Sequence, residues 1–201
     1  MSPANYPTIS LKLPPKNINR LATLLQRGFI VPCLKPISLH ELLLGLPGFD
    51  LHYIENRIET IFINGSAADS LRLLIEPGNT VALSAAMPGL AGAIFRKNSS
   101  HATLRSTPAK TPTQNKNQHG FLTIKLFNMV AADMVAPLLH HGILMNKATL
   151  SRFFQNRGEL LESLITSIYL DAASIPLNKL IPLPEDRPIF LVKTNCDTRS
   201  Q

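Results

Sequence analysis

The side chains of this sequence that could carry chemistry do not assemble into a set. His140-His141 offers two imidazoles for a metal or a general base, but adjacent residues on a helix point in different directions, and no neighbouring His, Cys or acid pair completes a ligand group. At a helix C-terminus the pair reads as two polar groups facing the carbonyl end of the dipole. Cys33 and Cys196 stand in no CxxC or Cys/His spacing, so neither a zinc site nor a disulfide framework is expected. Ser38 and Ser84 belong to no GxSxG elbow, and Asp69, Glu76, Glu159 and Glu162 are separated by turns or lie on helical stretches where solvation suffices. Gly89 and Gly92 lack both the Lys-Ser/Thr pair of a phosphate loop and its strand-turn-helix setting. No catalytic residue, metal ligand or cofactor is assigned, and the chain reads more as a binding protein than as an enzyme.

One stretch remains as a candidate site. Residues 85–95, Ala-Ala-Met-Pro-Gly-Leu-Ala-Gly-Ala-Ile-Phe, are small and apolar with no charge until Arg96. Met87, Pro88, Gly89, Leu90 and Gly92 are the binding candidates: small residues let backbone amides approach a partner, and Met87 and Leu90 supply adaptable apolar area. The competing reading is an internal turn, with Pro88-Gly89 reversing the chain and Leu90, Ile94 and Phe95 packed on the core.

The elements that position this stretch are strands and turns. Ile58 to Ile63 is β-branched and aromatic and stops at Asn64-Gly65, as a strand entering a tight turn does. Glu76-Pro77-Gly78-Asn79 is a second turn, with Pro presetting φ and Gly accepting a positive one, and Thr80-Val81-Ala82-Leu83 resumes extended character. Residues 78–95 carry no charge and approach the ~18-residue length of a membrane span, but the run is broken at Pro88-Gly89. A strand followed by a Gly-rich loop is the expectation, with no membrane span.

An internal duplication organises the rest. Thr8-Ile9-Ser10-Leu11-Lys12-Leu13 is echoed by Phe121-Leu122-Thr123-Ile124-Lys125-Leu126. Arg27-Gly28-Phe29-Ile30 is echoed by His141-Gly142-Ile143-Leu144, each a helix end, a glycine suited to the left-handed region and an apolar strand. Pro137 in the second copy predicts a helix that is kinked or starts late. Ser38-Leu39-His40-Glu41 has capping-box spacing, and Thr149-Leu150-Ser151-Arg152 keeps the hydroxyl without the carboxylate. Ile61-Phe62-Ile63-Asn64 corresponds to Ile168-Tyr169-Leu170-Asp171. Between the copies, residues 98–120 are rich in Ser, Thr, Pro, Asn, Gln and Lys and read as a flexible linker.

On Phe62-Ile63-Asn64-Gly65 and Glu76 to Leu83, preceded by the capped helix at 38–46, the chain resembles the β-grasp sulfur carriers, the MoaD/ThiS-like branch of the ubiquitin-like fold. The resemblance implies an α+β chain of two tandem β-grasp-like modules, at 1–97 and 121–201, joined by the linker at 98–120. A ferredoxin-like βαββαβ arrangement of each module is the alternative. The carriers act through a C-terminal diglycine, whereas this sequence ends Asn195-Cys196-Asp197-Thr198-Arg199-Ser200-Gln201, so sulfur carriage does not transfer with the fold. The apparent helix at 18–26 also replaces the family's simple hairpin.

Composition sets the limits. The chain has 201 residues and 45% hydrophobic content, enough for a real core. Its formal charge of +7 is local: without Arg96, Lys97, Arg105, Lys110 and Lys116, which share one acid-free segment, it is +2. That basic segment could neutralise phosphates, but it lacks interleaved aromatics for stacking, so nucleic acid is the weaker partner class. No basic and then apolar leader opens the sequence, and its cysteine usage suits a reducing compartment, so a cytoplasmic setting is expected. The function expected is a noncatalytic binding or scaffold protein contacting a protein, a small ligand or a second copy through 85–95 or a sheet face. A sulfur-carrier-related or enzyme-accessory role is the alternative.

Overall fold

Strand pairing in the computed structural model brings together residues that lie far apart in the chain. The structure describes residues 6–87, 89–97, 99–101, 120–180 and 182–196. The chain forms two compact units, one made of Met1–Ile30 with Val135–Gln201 and the other of Val31–Met134. Each has a sheet of mixed parallel and antiparallel strands with helices, so the α+β class stands.

In the first unit, β1 (Thr8–Leu13) alternates as its sequence predicts, with Ile9, Leu11 and Leu13 fully buried. It lies between β10 (Ser167–Leu170), antiparallel, and β12 (Ile189–Cys196), parallel. β9 (Ile143–Asn146) runs antiparallel to β12, and Ile30 of β2 (Phe29–Pro32) meets Leu144 of β9. β11 (Ala173–Ile175) is an edge strand beside β10, and the strands of this unit run in the order β11-β10-β1-β12-β9-β2. A 3-10 segment, Pro15–Leu21, leads into α1 (Ala22–Arg27). The longest helix of this unit, α6 (Lys147–Leu164), buries Leu150, Phe153, Phe154, Leu161 and Leu164, the i, i+3, i+4 stripe of a helix lying on a core. Its N-cap is Asn146, earlier than the Thr149 hydroxyl suggests, and it is broken at Arg157, whose φ is −134°.

In the second unit, β7 (Thr80–Ser84) pairs in parallel with β8 (Phe121–Phe127), with Val81 opposite Ile124 and Leu83 opposite Leu126. β4 (Thr60–Ile63) runs antiparallel to β7 and β5 (Ser66–Ala67) antiparallel to β4. A separate two-stranded ladder joins β3 (Ile37–Ser38) to β6 (Leu74–Ile75). The helices are α2 (Leu39–Leu44), α3 (Leu51–Asn56), α4 (Gly89–Phe95) and the first turns of α5 (Asn128–His141). The capping box at α2 is complete: Ser38 Oγ accepts the Glu41 amide at 3.2 Å, and the Ser38 amide donates to Glu41 Oε2 at 3.3 Å. The turn at 76–79 also forms, the Asn79 amide donating to Glu76 O at 3.0 Å with Gly78 at φ 88°.

These units are not the sequence modules 1–97 and 121–201. The first unit takes β1 from the start of the chain, and the second takes β8 from beyond the 98–120 stretch. Alternating apolar residues identify a strand and its buried face but carry no information about its neighbour, so the sequence favoured the local partner. The hairpin β4–β5 sits beside β7, whereas its counterpart β10–β11 (the latter continuing toward α7, Leu177–Leu180) sits beside β1. The expected flexibility of the 98–120 connection falls mostly on residues outside those described. Pro137 neither delays nor splits its helix, since α5 begins at Asn128 and runs through it. Gly28 does take a positive φ, 104°, but with ψ 135° it lies outside the left-handed helical well, in a region that favours glycine.

Two turns are nevertheless built alike. The Asn64 amide donates to Thr80 O and the Thr80 amide donates back to Asn64 Oδ1, both at 2.8 Å. The Asp171 amide donates to Thr8 O at 2.9 Å and the Thr8 amide to Asp171 Oδ1 at 2.8 Å. Asn64-Gly65 and Asp171-Ala172 all have positive φ, as a two-residue hairpin turn of the primed type requires.

Candidate functional site

Because β7 and β8 are parallel and in register, they deliver their C-terminal ends to one end of the second unit's sheet. Ser84, buried at the end of β7, accepts a hydrogen bond from Asn128 Nδ2 at 2.9 Å. Asn128 takes φ 52°, a conformation its short polar side chain tolerates, and starts α5. After Ser84 the chain enters the 85–95 segment.

From Gly89 to Phe95 that segment is a helix, α4, and not the Gly-rich loop expected there. Alanine-rich sequence favours a helix, but seven residues are too few to hold one without packing. Three sets of contacts supply it. The Phe95 ring lies 5.4 Å from that of Phe62 on β4. Just beyond the helix, Arg96 pairs with Glu59 at 2.7 Å and the Lys97 amide donates to Glu59 O at 2.6 Å. Gly92 is pressed against the preceding turn so closely that a Cβ there would sit 1.8 Å from Met87 O.

The C-terminal end of α4 is thus tied down, and its N-terminal end faces solvent. Leu90 is 70% exposed, Gly89 is exposed at φ 76°, and Met87 is half-buried. Pro88 lies outside the described residues. Met129, in the first turn of α5, is 53% exposed. The structure therefore splits the five candidates: Leu90 and Gly89 are accessible, Met87 partly so, and Gly92 is a packing residue.

A polar cluster joins α3 to α5 in the same unit. The Tyr53 hydroxyl donates to Asp133 Oδ2 at 2.8 Å, and Arg57 pairs with the same oxygen at 3.4 Å. Burial, and then the hydrogen bond and charge of Asp133, push the Tyr53 phenol well above its ordinary value. A phenol held neutral in this way is a fixed donor, and the cluster fastens helices without offering a base or nucleophile. Nothing local in the sequence signals it, since Tyr53 and Asp133 are 80 residues apart.

The first unit carries an open cleft of about 550 Å³ lined by Tyr6, Pro7, Asp171, Asp186, Arg187, Pro188 and Ile189. The Thr8 amide and the Arg187 guanidinium hold the Asp171 carboxyl below the usual carboxylate range. The sequence marks Asp171 only as a turn residue, and nothing in it points to Arg187. Both groups are satisfied by each other, which makes the pair structural. His140 and His141 are exposed in the last turn of α5, where a basic residue suits the helix dipole. Cys33 is buried, its thiol donates to Lys35 O at 3.0 Å, and burial pushes its pKa up, which lowers its reactivity. Among the described residues, no three His, Cys, Asp or Glu gather as metal ligands, and no helix is long and apolar enough to cross a membrane.

No protein-family model matches this chain, and comparison with curated proteins and with solved structures returns no significant match.

Proposed function

We propose that this is a noncatalytic binding or scaffold protein, which contacts a protein partner or a second copy of itself through the 85–95 segment. Met87, Gly89 and Leu90, with Pro88 between them, form the contact, and Gly92 shapes the helix that presents it. The observation that carries this reading is Leu90, a large apolar side chain 70% exposed at the free end of a helix whose other end is anchored. The segment has no ionisable side chain and offers only apolar area and backbone hydrogen bonds, which are binding groups. A sulfur-carrier role would need cleavage at Gly89 or Gly92 to expose a new terminus, and the burial of Gly92 within α4 disfavours it.

The same proposal takes the two units as β-grasp-like modules from one duplicated segment. The twice-built turn at Asn64 and Asp171 supports that descent. The setting we propose is the cytoplasm, in keeping with cysteine usage.

The test is Leu90→Asp. An exposed position tolerates the change within about 0.5 kcal/mol, so the urea midpoint is expected to hold. Self-association in sedimentation velocity, or capture of cross-linked partners from native extract, is expected to be lost, because desolvating a new carboxylate at an interface is costly. A folded variant that keeps every partner and the same association state would remove the segment as the site. One that unfolds would show that Leu90 is packed.

A further inference from the structure

We draw no further inference here: the strongest candidate, the groove of the first unit lined by Leu161, Ile165, Ile168, Ile175 and Leu177 beside the edge strand β11, is an unpartnered surface, and nothing in the structure shows what covers it.

Discussion

Separating residues 1–101 from residues 120–201 takes residues 1–30 from the first compact unit and residues 120–134 from the second. The second unit loses β8, whose Leu122, Ile124 and Leu126 are fully buried, together with its parallel ladder to β7 from Thr80–Thr123 to Ser84–Phe127. The first unit loses β1 with Ile9, Leu11 and Leu13, all fully buried, from between β10 and β12, and with it Leu21, Leu24 and Leu25, also fully buried, of the 3-10 segment and α1. Burying one such side chain stabilises by about 1.5–3 kcal/mol. Three per strand come to roughly 5–9 kcal/mol, comparable with the roughly 5–15 kcal/mol that holds a whole domain. Neither fragment is therefore expected to fold alone. Expressed separately, each should show no cooperative urea transition by circular dichroism and little protection of strand amides in hydrogen exchange. Mixed in equal amounts, the two should regain the spectrum and cooperative transition of the intact chain. Cooperative unfolding of either fragment by itself would refute the reasoning and restore 1–97 and 121–201 as independent modules.

Glycine replacements probe how α4 is held. Gly92→Ala is expected to destabilise by about 1–2 kcal/mol despite better helix propensity, because the new Cβ meets backbone at Met87. Gly158→Ala, with nothing within 4 Å, should be neutral or stabilising by up to about 1 kcal/mol. Urea midpoints of the two variants compare them directly, and equal effects would contradict the packing of Gly92. Ala172 sits at φ 72°, so Ala172→Gly should raise stability by about 0.5–1 kcal/mol, read as a higher midpoint with unchanged slope. Asp171 has a lowered pKa in the folded state, so its stabilisation is complete above the ordinary carboxylate value and disappears as pH falls through the lowered one. Asp171→Asn keeps the acceptor for the Thr8 amide and removes the charge facing Arg187. Its stability deficit should be constant at neutral pH and vanish in acid; a deficit independent of pH would dissociate Asp171 from the ion pair.

Much of the local structure is legible in the residues themselves. The alternation of Thr8 to Leu13 and of Phe121 to Phe127 marks two strands and their buried faces. Ser38 with Glu41, Asn64 with Gly65, and Pro77 with Gly78 each specify a cap or turn, because the groups that interact lie within four positions. The candidate stretch was legible as apolar and uncharged, and Leu90 within it is exposed. Its helical form was not legible. Pro-Gly and scattered glycines argue for a loop, and only packing of Phe95 on Phe62 and of Gly92 on the turn before it selects the helix.

Strand neighbours belonged wholly to the tertiary structure. Thr8 binds Asp171 across 163 residues, and β7 finds β8 across the connection between Ser84 and Phe121. A strand's pattern records that one face must leave water, a requirement that several strands of the same chain satisfy equally well. The choice among them rests on the summed fit of side chains and backbone hydrogen bonds over the whole sheet, which no short window of sequence contains.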